Sequence, residues 1–192
     1  MLLSIANRIS LYLMKENPDQ DPIEACTYGI DIVLYTLIST AGLTLIGSLF
    51  LTFGQTALLI AVYYANQMSG GGYHASTHTK CFFSMTAGLL FSAFVIWFIN
   101  GSLSIVIPTS CTALLVLWKY PVILHKNKQY LSTIMTVMKN RARLISGLSF
   151  FITVALYFNP ALSEAAMMGM IMAAVSRLSS IVLTRASKAP AP

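Results

Sequence analysis

The chain has 192 residues, of which 56% are hydrophobic and only 9% charged, and it carries a formal net charge of +6. Soluble domains carry about 25% charged residues, so this sequence cannot clothe a water-facing surface and reads as an integral membrane protein held in a lipid bilayer. The basic excess does not argue for nucleic acid, and no nucleic-acid partner is expected: Lys and Arg lie between apolar runs, the pattern that sets orientation in a membrane.

The apolar segments are long and continuous rather than ten-residue alternations, so the fold class is all-α. The expected architecture is a polytopic membrane helical bundle of about six transmembrane helices plus an N-terminal amphipathic helix, forming a single domain over residues 1–192. In chain order, residues 1–15 set Leu2, Ile5, Ala6, Ile9 and Leu13 on one helical face and are predicted to lie in the membrane interface. They lack the basic start, apolar block and small-residue cleavage site of a secretory signal. Asn17 to Glu24, with two prolines and three acids, reads as a water-side connector. Spans are predicted at 30–52, with Asp31 at its start, and then at 55–68, 82–99, 103–118, 144–158 and 161–183. The second is short of the ~20 residues needed to cross. Turns are expected around Gly54, at Asn100-Gly101-Ser102 and at Asn159-Pro160.

Residues 119–143 hold Lys119, Lys126, Lys128, Lys139, Arg141 and Arg143 and no acid, which marks a cytoplasmic loop. Counting spans from that loop brings both termini and the segment 70–81 to the cytoplasmic face. The tail, 184–192, is expected to fray. Cys26, Cys81 and Cys111 are odd in number and widely spaced, so reduced thiols are expected rather than a disulfide framework.

No Asp, Glu, Lys or Arg occurs from Ile32 to Thr79 or from Cys81 to Trp118. Between these runs, Gly70 to Cys81 gathers three glycines, His74, His78, Lys80 and a thiol. A thiolate is a strong nucleophile and an imidazole can take its proton, so the segment is expected to be a reaction centre at the membrane surface. In one unbroken helix, seven residues would separate His74 from Cys81 by ~10.5 Å along the axis. A contact therefore requires the helix to begin between them, with Ser76 or Thr77 as N-cap and Cys81 near the first turn, beside Lys80, where the helix dipole favours negative charge. Other readings of the same residues stand beside this one. Cys81 could be a small packing residue. His74, His78 and Cys81 have a spacing that can bring metal ligands to one helix face. His78 reads as a solvated side chain, and the glycine run forms neither a P-loop nor GxGxxG.

Gly71-Gly72-Tyr73-His74-Ala75 followed by Cys81 resembles the signature of AgrB, the membrane-embedded cysteine peptidase of Gram-positive peptide quorum sensing. The amphipathic N-terminus, Tyr28-Gly29-Ile30-Asp31, Tyr120-Pro121-Val122 and Asn127-Lys128 extend the likeness over most of the chain. The resemblance implies a cell-membrane enzyme of a Gram-positive bacterium that cuts a small amphipathic precursor, AgrD, and leaves a cyclic thiolactone or lactone. It implies Cys81 as nucleophile, His74 as base, a homodimer and no cofactor or metal. Asp31 stands where the family often has glutamate; it is the candidate catalytic acid, to orient His74 or hold a substrate group, and reads equally as a helix-start acid at the interface. Gln67 stands where it often has arginine, and Gln129 where proline is usual. Gly71, Gly72, Gln67, Lys126 and Lys128 are the expected substrate contacts, the two lysines through attraction of an acidic precursor tail. The competing functional classes are a small peptide exporter and a His/Cys metal-binding membrane protein. An exporter would show internal repeats or a buried charged pathway.

Overall fold

The computed structural model describes residues 2–13, 20–72, 77–99, 102–123 and 132–186. Within them the chain is helical, with no strand. The helices are α1 (Leu2–Leu13), α2 (Gln20–Gly47), α3 (Phe53–Gly70), α4 (His78–Ile99), α5 (Leu103–Lys119), α6 (Ser132–Ala155) and α7 (Pro160–Ala186), with a 3-10 turn at Leu156–Phe158. The all-helical expectation holds. Two compact units divide the chain, Met1–Leu45 and Ile46–Pro192.

In the first unit, α1 buries Ala6 and Ser10, one turn apart, and the Ser10 hydroxyl donates to the Ala6 carbonyl at 3.0 Å. Ile5, Ile9 and Leu13 of the predicted face stay exposed, so the buried line is narrower than the apolar stripe. Helix α2 starts earlier than expected. Gln20 to Glu24, read above as connector, is already helical. Pro22 falls in the first turn, where a missing N–H costs no hydrogen bond and the fixed φ suits the helix. Asp31 is consequently not at a helix start but three turns in, and its side chain is buried. The end of the span moves too: the chain turns at Ser48–Phe50 rather than around Gly54, which lies inside α3.

Among the described residues, four helical stretches are long and apolar enough to cross a membrane: Ile23–Gly47, His78–Ile99, Ser132–Phe158 and Pro160–Leu183. Residues 104–119 of α5 form a shorter apolar helix. Helix α3 is less apolar because it buries Gln55, Asn66, Gln67 and Ser69 inside the bundle. Large apolar side chains such as Phe91, Phe94, Trp97 and Phe98 on α4 face outward, as lipid-facing residues do.

The second unit is arranged around α7, which packs against α3, α4, α5 and α6. Small residues allow the approach: at Gly169 an added Cβ would lie 2.7 Å from the Leu59 carbonyl oxygen of α3. Asn159 caps α7 with its carbonyl and side chain, and Pro160 takes the first helical position, so the expected break at Asn159-Pro160 is present. Asn100 and Gly101 lie outside the described residues; Ser102 N–H donates to the Ile99 carbonyl across them at 3.2 Å.

The basic stretch is not one loop. Residues 124–131 lie outside the described residues, but Lys139, Arg141 and Arg143 are on α6, which begins a dozen residues before the predicted span. Their side chains are exposed while Met135, Met138 and Ala142 turn inward at three- and four-residue spacing. Further along α6, Ser146 and Ser149 meet α3: Asn66 Nδ2 donates to Ser149 Oγ at 2.9 Å, and the Ser146 hydroxyl donates to Asn66 Oδ1 at 2.8 Å. Interhelical polar contacts of this kind hold helices together where lipid provides no hydrophobic drive.

Candidate active site

The glycine segment is shaped by its neighbours. Gly70 ends α3, and a Cβ there would run into the Arg177 guanidinium and the Pro121 carbonyl. Gly71 adopts φ 71° and ψ −173°, a conformation that side chains strain to reach, while its N–H donates to the Gln67 carbonyl at 2.8 Å. Gly72 is buried, and a Cβ on it would lie 2.6 Å from the Gln67 amide and from Ser176 Oγ. The Gly70 carbonyl accepts from Ile123 N–H at 2.9 Å, which ties the segment to the stretch after α5.

Beneath it sits Arg177 of α7, fully buried. One terminal nitrogen donates to the Leu117 and Tyr120 carbonyls, each at 3.1 Å, and the other to the Asn66 carbonyl at 2.8 Å. These carbonyls lie at the C-terminal ends of α5 and α3, where unpaired acceptors and the helix dipole draw a cation. Sequence reasoning passed over this residue. The available signal was a lone cation inside the predicted span 161–183.

Helix α4 begins between His74 and Cys81, as contact between them requires. Thr77 is its N-cap: its hydroxyl accepts from Lys80 N–H at 3.3 Å, and its carbonyl accepts from Cys81 N–H at 3.0 Å. Cys81 thus sits on the opening turn, half-buried, with Sγ 4.0 Å from Met85 Sδ. The thiol forms part of the wall of a cavity of about 220 Å³. One side is α4, which contributes Cys81, Met85, Gly88 and Ser92; another is α7, with Met168, Met172 and Ser176; Tyr63 of α3 also lines it. Ser176 joins two neighbours, accepting from Gln67 Nε2 at 3.1 Å and hydrogen-bonding the Tyr63 side chain.

The expected site residues therefore divide. Gln67, Gly72 and Cys81 are drawn together around Ser176, which the sequence reading did not single out. Gly71 turns the chain out of α3. Asp31 belongs to the first unit. His74, Lys126 and Lys128 lie outside the described residues, as does Gln129. His78 is the first residue of α4 and is exposed, as is Lys80. All three cysteines are free thiols, and among the described residues no three His, Cys, Asp or Glu side chains gather into a cluster.

A model of the accessory gene regulator B family, AgrB, matches residues 6–181. The chain belongs to the AgrB family. No curated protein and no solved structure matches it. The match runs from within α1 to near the end of α7 and so takes in the glycine segment, the Cys81 turn and Arg177. At position 67, where an AgrB chain often has arginine, the Gln67 amide lies against Ser176 and beneath Gly72. The guanidinium buried at this end of the bundle comes from α7.

Proposed function

We propose that this AgrB chain is a cysteine endopeptidase of the cell membrane that cleaves a small amphipathic AgrD-type precursor and supports its cyclisation. The observation that carries the reading is the position of Cys81: a half-buried thiol on the opening turn of α4, in the wall of a cavity, nine positions after Gly72 of a glycine segment seated on α3 and α7. In this reading His74 takes the thiol proton. Gly72 packs on Ser176 of the cavity wall.

Cys81 Sγ adds to a precursor carbonyl, and the tetrahedral intermediate collapses with loss of the C-terminal fragment as an amine, which takes the proton held by His74. The acyl group remains on sulfur as a thioester. A Cys thiol or Ser hydroxyl within the same precursor then attacks that thioester, closes a thiolactone or lactone and returns the Cys81 thiol. Exchange of one thioester for another costs little free energy, and an attacker held within the same molecule outruns water. A largely apolar cavity wall keeps water scarce. The cytoplasmic orientation of the site and attraction of an acidic tail by Lys126 and Lys128 belong to the same proposal.

The test is co-expression of the chain with its precursor, followed by mass spectrometry of the peptide products. Cys81→Ala is expected to abolish cleavage, and Cys81→Ser to leave at most a trace. Full cleavage by Cys81→Ala would refute the assignment.

A further inference from the structure

The cavity reached by Cys81 has a shape that the chemistry above does not use. On α4, Cys81, Met85, Gly88 and Ser92 recur at i, i+4, i+7 and i+11, which places them on one helix face. On α7, Met168 and Met172 face them at the same four-residue spacing. The seam between these faces leads from the thiol along about 16 Å of α4 at 1.5 Å per residue. Its walls are chiefly thioether and hydrocarbon. Its volume, about 220 Å³, is below the ~300 Å³ at which drug-sized ligands are accommodated, yet above the ~150 Å³ that holds a benzene. It has room for one large apolar side chain and no more.

Resting on the assignment of Cys81 as nucleophile, we propose that this seam is the pocket for the side chain of the residue whose carbonyl Cys81 attacks, and that it selects a large apolar side chain there. The argument is positional. An acyl group carried on Sγ has its own side chain within a few bonds of the sulfur, and the space beside this sulfur is the seam. Methionine walls adapt to several apolar shapes, so selection is by size and polarity rather than by one outline. Gly88 sets the width: a Cβ there would lie 2.8 Å from Met172 Cε, the far end of a flexible side chain, so larger residues at 88 fill the seam without moving backbone.

The experiment needs no knowledge of the precursor. The purified full-length chain in nanodiscs is treated with N-acetyl-aminoacyl chloromethyl ketones bearing Ala, Leu or Phe. The Cys81 thiolate forms a C–S bond as the C–Cl bond breaks and chloride leaves, and intact mass reports the rate. Each rate is divided by the same variant's iodoacetamide rate at Cys81, which cancels changes in thiol reactivity. Leu and Phe are expected to exceed Ala by at least tenfold, the lower end of what a methylene difference in an apolar pocket gives. Gly88→Val is expected to cut the Phe-to-Ala ratio about tenfold or more. Met172→Ala, which widens the seam, is expected to keep or raise it and guards against a misfolded Gly88→Val.

Equal normalised rates for all three probes in the parent chain would overturn the proposal, as would a Gly88→Val ratio equal to the parent's. A lipid acyl chain retained in native mass spectra by the parent and lost in Gly88→Val, without probe selectivity, would give the seam to lipid and also overturn it. Selective labelling alongside unimpaired precursor cleavage by Cys81→Ala would leave the pocket standing and sink the peptidase assignment instead.

Discussion

Replacing Arg177 by methionine sets two large effects against each other. The guanidinium is fully buried among backbone carbonyls, and removing it relieves a desolvation penalty of several kcal/mol. Its removal also strands acceptors. The Leu117 carbonyl has no alternative helical donor, because the residue four places on is Pro121, which lacks an N–H. The Tyr120 carbonyl lies beyond the last turn of α5. The Asn66 carbonyl keeps Ser69 Oγ as a donor at 3.0 Å. Two stranded acceptors, one buried and one part-buried, at about 1–3 kcal/mol each, plus the loss of charge-assisted bonds worth about 1.5–3 kcal/mol apiece, outweigh the relief. Arg177→Met is therefore expected to lower the unfolding free energy by about 2–4 kcal/mol. Arg177→Lys should recover less than half of that, since one ammonium cannot span carbonyls from two helices as a planar fork does. The assay is SDS titration in mixed micelles followed by far-ultraviolet circular dichroism. A methionine variant as stable as the parent would refute the reasoning.

Other expectations follow from the same contacts. Gly72→Ala, which pushes a methyl into Gln67 and Ser176, should reduce precursor cleavage about tenfold, equivalent to about 1.4 kcal/mol in the barrier, with helix content unchanged by circular dichroism. Thr77→Ala removes the cap of α4 and should cost about 1 kcal/mol locally, read as faster hydrogen exchange at the Lys80 amide. Asn66→Leu should cost about 0.6–1.7 kcal/mol per interhelical bond lost in the same SDS titration. The cost stays modest because the Ser146 and Ser149 hydroxyls also lie within hydrogen-bond reach of their own helix carbonyls, Ala142 and Ile145.

Where apolar runs are bounded by clear punctuation, the helices were legible from sequence. α4, α5 and the start of α7 fall within a few residues of their predicted limits, because Thr77, Ser102 and Asn159-Pro160 are starting signals. Charge was misleading elsewhere. The acids and Pro22 before Ile23 and the cations Lys139, Arg141 and Arg143 suggested loops, yet Gln20 to Glu24 and Lys139 to Arg143 are helical: Pro22 fits a first turn, and the cations of α6 occupy its exposed side. The start of α4 ahead of the thiol was legible, because Thr77 is a cap signal. The site was illegible at Ser176 and Arg177, whose partners on α3 and α5 are distant in sequence and are found only through packing.

The placement of α7 bears on how the protein is made. Helix α7 supplies Ser176, the methionines facing Cys81 and the cation beneath the glycine segment, and it touches four earlier helices. A nascent chain halted before Pro160 would hold the thiol without the opposite wall of its cavity. Completion of the cavity must therefore await insertion of α7, and contacts as far apart in sequence as Leu59 and Gly169 close late.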